Sequence, residues 1–274
     1  AEPVFFSYPH VDEMDALVDQ VKKSDQPVYD ITTVDGIQHT LWAVKEDNKI
    51  KTIEQLFDKH VPSIYVADGH HRTAAGALVG KEFREKANGS ANDGKRYNYF
   101  MAVLFPDNQL NIIDYNRVVK DLNGLSESEL LEKLYASFEV DKMNGQYRPE
   151  RLHSIGMYLG GSWYRLTAKD DTYDDNDPVG VLDVTILSKH VLEPLFDIVD
   201  LRRDKRIDFV GGIRGLGELE KRVDAGNMKV AFAMYPVSMQ QLIDISDADL
   251  IMPPKVTWFE PKLRSGLFVH ELER

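Results

Sequence analysis

A mixed α+β fold is what this sequence predicts, and three observations predict it. Tight-turn pairs separate strand-like runs at Asp35-Gly36, Asp107-Asn108 and Gly160-Gly161, which reads as three hairpins. Apolar residues recur at helical spacing elsewhere, as in Val11, Met14, Leu17, Val18 and Val21. Strand-like and helix-like runs alternate loosely, but the hairpins interrupt them, so the pattern is mixed sheets with helices rather than a clean doubly wound fold.

The bulk numbers set the class. The chain has 274 residues, 43% hydrophobic and 28% charged, which is a globular balance. With 33 basic and 45 acidic residues the formal charge is -12. Such a surface argues against general affinity for nucleic acid or anionic membranes, both of which need a positive field. There is no cysteine, so disulfides, thiolate catalysis and cysteine metal sites are excluded. No run approaches the ~20 apolar residues of a spanning helix, and no signal peptide is visible; a cytoplasmic location is the expectation. The chain begins at Ala1 and is apolar by Val4, which suggests processing or excision from a longer chain.

In order, Val4 to Tyr8 reads as a short strand and residues 11–23 as an amphipathic helix, stopped before Pro27. Tyr29 to Val34 and Gln38 to Val44 form the first hairpin. Ile50, Ile53, Leu56 and Phe57 mark a helix, and Pro62 separates it from a strand over Ile64 to Ala67. A helix-compatible run from Thr73 to Lys86 follows, rich in small alanines that permit close packing. Asn88 to Gly94 reads as an exposed loop. Tyr97 to Phe105 and Leu110 to Tyr115 form the second expected hairpin, and Arg117 to Leu122 a turn or short helix.

Ser126 with Glu129 is a capping-box pattern opening a helix to about Ser137. Asp141 to Arg151 is polar and carries no signal. Ser154 to Leu159 and Ser162 to Thr167 flank the third hairpin turn. The acidic stretch from Asp170 to Asp177 lacks calcium-loop spacing and reads as a solvated loop. Val184 to Phe196 is helical, Ile207 to Val210 a strand, Lys229 to Tyr235 another, and Ser238 to Ile245 a helix. The basic cluster Arg202 to Arg206 reads as a solvated face, and Met252-Pro253-Pro254 as a rigid connector. Trp258 and Phe259 suit a core. A division into residues 1–140 and 141–274 is the expected domain organisation, with one continuous domain as the alternative.

The chemistry gathers at Asp68-Gly69-His70-His71-Arg72, where a strand should end and a helix begin. Glycine permits a tight turn and close backbone approach. Amides at a helix start can hold phosphate. Arg72 offers a planar, permanently charged fork to phosphate or carboxylate. His70 and His71 can donate to an oxyanion or exchange a proton near neutrality. Asp68 can bind a metal with a nucleotide, orient a histidine, act as a base, or merely cap the helix. Asp68, His70 and His71 are therefore the candidate catalytic residues, and Gly69, His70, His71 and Arg72 the candidate ligand-binding ones.

Two further candidates are less specific. Arg117, just after a strand end, would either reach the ligand or make a surface ion pair. Gly211 to Gly217, with Arg214, is either a tight structural turn or an anion loop; it matches neither common glycine-rich phosphate motif. Lys262, Arg264 and Ser265 would line a polyanion pocket or pin the C-terminus. No dedicated metal site is expected, because adjacent histidines diverge on a regular element. Magnesium carried by a nucleotide is the cofactor the site would accept, since it needs few protein ligands.

Tyr65-Val66-Ala67-Asp68-Gly69-His70-His71-Arg72 resembles the signature of the bacterial and archaeal family of unknown function numbered 1015. The resemblance continues through Asn116-Arg117, Arg206 to Gly212, Met252-Pro253-Pro254-Lys255 and Thr257 to Leu267, and so spans the chain. Members are sometimes labelled SpoOJ/ParA/ParB/RepB-like. One departure is Asn116, where many members carry His before Arg. The motif is also similar to the phosphate-contacting strand-turn-helix of the ParB N-terminal, sulfiredoxin and free-serine kinase group. That resemblance implies a ParB/sulfiredoxin-like unit in which Gly69, His70, His71 and Arg72 contact phosphate and Asp68 assists metal or substrate. The resemblance to family 1015 also implies a further N-terminal portion, absent here, that would complete the site.

Sulfiredoxin chemistry needs a cysteine and is excluded. The expected function is a nucleotide- or phosphate-binding enzyme that transfers a phosphoryl group to a small hydroxylated metabolite. The alternatives are a non-catalytic nucleotide-sensing regulator and a metal-assisted phosphohydrolase. The expected partner is a nucleotide or other phosphorylated small molecule, with a homodimer possible and no case for nucleic acid or membrane.

Overall fold

The computed structural model describes residues 3–90, 94–262, 264, 266, 267, 269 and 270. It is an α+β protein of two compact units. Unit 1 comprises the residues up to Leu110 together with those from Pro261 onward, and unit 2 runs from Asn111 to Glu260. Residue 140 lies inside unit 2, in an edge strand of its larger sheet.

Unit 1 is built on β1 (Val4–Tyr8), whose five residues are all buried. Then come α1 (Asp12–Ser24), β2 (Tyr29–Thr32), β3 (Gln38–Leu41), α2 (Asp47–His60), β4 (Tyr65–Asp68), α3 (His70–Ala87) and β5 (Ala102–Pro106). A three-stranded sheet runs in the order β4-β1-β5, with β4 antiparallel and β5 parallel to β1. Aromatic pairs hold it: Phe5 lies 5.0 Å from Phe105, and Tyr8 lies 5.0 Å from Phe57 of α2. Met14 and Val21, on one face of α1, are its buried residues. The first hairpin is present as β2 and β3, with Gly36 at φ 81° in the turn.

Unit 2 contains β6 (Asn111–Ile113), β7 (Tyr115–Val119), α4 (Glu127–Leu134), β8 (Phe138–Lys142), β9 (Ser154–Leu159), β10 (Ser162–Ala168) and α5 (Asp183–Leu187). It continues with β11 (Ile207–Gly211), α6 (Gly217–Asp224), β12 (Val230–Ala233), α7 (Met239–Asp247) and β13 (Trp258–Glu260). Six strands form one antiparallel sheet in the order β11-β7-β12-β9-β10-β8. Strand alternation divides its side chains between two cores. Val119, Met157 and Phe232 face one core with Leu130 and Leu134 of α4, Ile186 of α5 and Ile245 of α7. Val118, Tyr158 and Ala231 face the other with Leu219 of α6. The Ser126 capping box forms reciprocally with Glu129, and Ser238 makes a second one with Gln241.

Two expectations are corrected. The second hairpin does not form: β5 pairs with β1, whereas β6 pairs with β13. A 3-10 turn over Asp107–Gln109 lies between the two runs, and each finds a partner distant in sequence. Arg117 is not in a turn or short helix, because β7 carries it in mid-strand with partners on both sides. The described part of the Asn88 to Gly94 loop is exposed, and residues 91–93 lie outside the described residues. Among the described residues, no helix is long and apolar enough to cross a membrane.

Candidate functional site

The turn between β4 and α3 places the motif. Asp68 is the last residue of β4 and pairs with Phe5, beside a register irregularity in β1. Gly69 takes φ 91°, a left-handed conformation that side-chain-bearing residues rarely adopt. The chain therefore enters α3 at His70, three residues before the expected Thr73. His70, His71 and Arg72 consequently form the first turn of an 18-residue helix that has no acidic side chain there. The first intrahelical bond is donated by Thr73 N to Gly69 O at 2.9 Å, so the amides of His70 and His71 precede the ladder. The Thr73 hydroxyl donates to the same carbonyl at 3.1 Å and secures the turn.

The side chains are open to solvent: Asp68, His70, His71 and Arg72 are all exposed. Asp68 Oδ1 accepts from Gly69 N at 2.8 Å. Arg72 Nη1 donates to Pro3 O at 2.9 Å, tying the guanidinium to the residue before β1. The same guanidinium lies over Gly69, where an added Cβ would stand 3.1 Å from Nη2. The C-terminal segment approaches this turn through Lys262, whose Nζ lies 3.9 Å from Asp68 Oδ2. Arg264 instead pairs with Asp35 in the first hairpin, and Ser265 lies outside the described residues. Within unit 1 the structure thus brings together one carboxylate, two histidines, an arginine and a lysine around a helix start.

Arg117 and Arg214 belong to unit 2. Arg214 is 60% exposed and lies 3.8 Å from Glu218, an ordinary surface pair one helical turn along. The glycines before it answer packing needs. A Cβ on Gly211 would stand 2.7 Å from the Trp258 ring, and one on Gly212 would strike the Asp114 carboxylate. Arg117 is fully buried, and loss of solvent pushes its guanidinium down to about 9. Its neighbour Asn116 is satisfied internally. The Asn116 amide donates to Asp114 Oδ2 at 2.6 Å, and its oxygen accepts from Met234 N at 2.8 Å. Arg148 completes that network by donating to Asp114 Oδ1 at 2.8 Å.

One titratable group carried no signal in the sequence. Asp183 is buried at the start of α5; its Oδ1 accepts from His153 N at 2.7 Å and its Oδ2 has no partner. Burial pushes its carboxyl up to about 7. Among the described residues, no group of three or more His, Cys, Asp or Glu is placed to hold a metal ion.

Comparison with known proteins adds the following. No curated protein matches the chain. Among solved structures, a free serine kinase in complex with AMP is 13% identical, with 93% of this chain and 83% of that chain covered at a TM-score of 0.37. A mutant of a free serine kinase in complex with ADP is 14% identical, with the same coverage and a TM-score of 0.38. A conserved hypothetical protein from Pyrococcus furiosus is 12% identical over 93% of this chain and 86% of that one, at 0.36. At these scores the likeness carries no argument about activity. The family described as "Protein of unknown function (DUF1015)" matches residues 1–185, which is more than half of the sequence. The chain belongs to that family.

Proposed function

We propose that the Asp68–Arg72 turn binds the phosphate of a nucleotide or another phosphorylated small molecule, and that the chain transfers a phosphoryl group from it to a small hydroxylated metabolite. The observation that carries this reading is the composition of one helix start. An exposed 18-residue helix opens with His70, His71 and Arg72, no carboxylate in its first turn, and Lys262 within 3.9 Å of Asp68. Helix-start amides and the positive end of the dipole favour an anion. The Arg72 fork supplies charge-assisted hydrogen bonds to phosphate oxygens.

The remaining groups suit transfer. Phosphoryl transfer asks mainly for positioning and charge stabilisation, which the backbone amides, Arg72 and Lys262 would provide. A histidine ring or the Asp68 carboxylate would orient the acceptor hydroxyl and take its proton. Asp68 Oδ2 is also the oxygen that would hold a magnesium ion brought by a nucleotide, because magnesium commonly takes one or two carboxylates plus phosphates. That ion would supply charge neutralisation at the phosphates.

The reading is tested by thermal stabilisation of the whole chain with ADP, ATP, CTP, GTP and inorganic phosphate, each with and without magnesium. Ligand at a hundredfold over its Kd should add about 2.7 kcal/mol of stability. Arg72→Ala should weaken the responding ligand at least tenfold in a variant that still folds. The responding nucleotide then becomes the donor in a screen of hydroxylated acceptors. An unchanged affinity in folded Arg72→Ala would remove the proposed site, and binding without turnover of any acceptor would leave a sensor in place of the kinase.

A further inference from the structure

Unit 2 holds a second cationic centre that the phosphate turn does not use. Arg117 stands in the middle of β7, between Phe209 of β11 and Phe232 of β12. It is 1% exposed. Nη1 donates to the Tyr115 carbonyl, and the guanidinium carbon lies 5.6 Å from the Phe209 ring centroid. Nη2 is buried and has no hydrogen-bond partner. Among the described residues no carboxylate pairs with it.

Lys255 approaches the same tyrosine from another element. Its Nζ lies 5.7 Å from the Tyr115 ring centroid. It sits at φ 56°, directly after Pro253 and Pro254, in a conformation that favours glycine. It too has no carboxylate partner among the described residues. Trp258, 5.6 Å from Tyr115, adds a further aromatic wall.

Carboxylates are not scarce in this chain, with 45 acidic residues against 33 basic ones. Among the described residues, these two cations beside one tyrosine nevertheless have no counter-charge. For the buried one, Arg117, this is unusual, because an uncompensated buried charge opposes folding. We infer that Arg117, Tyr115 and Lys255 form a receptor for a small oxyanion, a phosphate or a carboxylate, within unit 2. Arg117 Nη2 supplies a charge-assisted hydrogen bond in an apolar surround, where it is stronger than in water. Lys255 is exposed, so it is the cation an incoming anion meets first. The surrounding aromatic rings suit an anion attached to a flat apolar body.

The inference does not depend on the phosphate turn, and its test silences that turn. The full chain carrying Arg72→Ala is titrated at constant ionic strength with inorganic phosphate and, separately, with acetate and with benzoate. Chloride is the control. Tryptophan fluorescence and melting temperature are the readouts. At least one oxyanion should give a saturable change, weakened about tenfold by Lys255→Met and lost in Arg117→Met. The phosphate and carboxylate arms identify which anion the site takes. Should Arg117→Met fail to fold, Lys255→Met, which alters an exposed side chain, decides alone. No saturable response to any oxyanion, or an equal Kd with and without Lys255, would overturn the inference.

Discussion

In unit 1 burial concentrates on β1, whose five residues are all inside, while α2 buries none of its residues and α3 buries only Gly80. In unit 2 each face of a six-stranded sheet carries its own core, and polar groups are enclosed with the apolar ones: Asp114, Asn116, Arg117 and Asp183 are all buried. The Asp68–Arg72 turn sits on the lightly packed frame. There its charges stay hydrated, at small cost to folding, and remain reachable by a ligand. The enclosed polar groups of unit 2 bear the desolvation cost instead, and Arg117 and Asp183 each keep an atom without a partner.

Mutations in the two units should differ accordingly. The largest effect belongs to the unit 2 core: Phe138→Ala, at a position with 0% exposure, should cost about 3–5 kcal/mol in chemical unfolding. Next comes Asp183. Its carboxyl moves from 3.8 to about 7 on folding because it is buried. As pH rises from about 3.8 to about 7, the unfolded carboxyl loses its proton while the folded one keeps it. The associated stability is thus full below the lower value and lost by the upper one. Asp183→Asn should therefore change little near pH 3.5 and add up to about 4 kcal/mol at pH 8, at roughly 1.4 kcal/mol per pH unit over a span of about three units. Equal gains at both pH values would show that Asp183 is not a buried acid.

Gly69→Ala probes the turn of unit 1. A side chain at φ 91°, with Arg72 Nη2 3.1 Å from the new Cβ, should cost about 1–3 kcal/mol and displace the guanidinium. Phosphate affinity should fall with it. The smallest effect is expected on the open side of α3. Leu78, 68% exposed, should tolerate alanine within about 0.5 kcal/mol. A loss at Leu78 as large as that at Phe138 would erase the difference between the units.

What was legible in the sequence was local. Asp35-Gly36 and Gly160-Gly161 turn the hairpins they predict, and Ser126 caps the helix it announces. The strand-turn-helix at residues 65–87 is likewise a short-range pattern, so its polar run could be read in advance. The failures are long-range. Ala102 to Pro106 looks able to fold back on Asn111 to Ile113, yet β1, at the far end of the unit's sequence, claims it. Arg117 reads as a residue just past a strand end, free to reach a ligand or pair at the surface, whereas long-range pairing on both sides buries it in mid-strand. The approach of Lys262 to Asp68 joins segments that no local pattern connects.

The proposed function requires that the Asp68–Arg72 turn hold phosphate. Calorimetric titration of the full chain with magnesium–ATP and with inorganic phosphate, beside Arg72→Ala, is the decisive experiment. A single saturable site in the parent chain, weakened at least tenfold in the folded variant, is the predicted result. Binding of equal strength in both proteins, or no binding of either ligand to the parent, would contradict it.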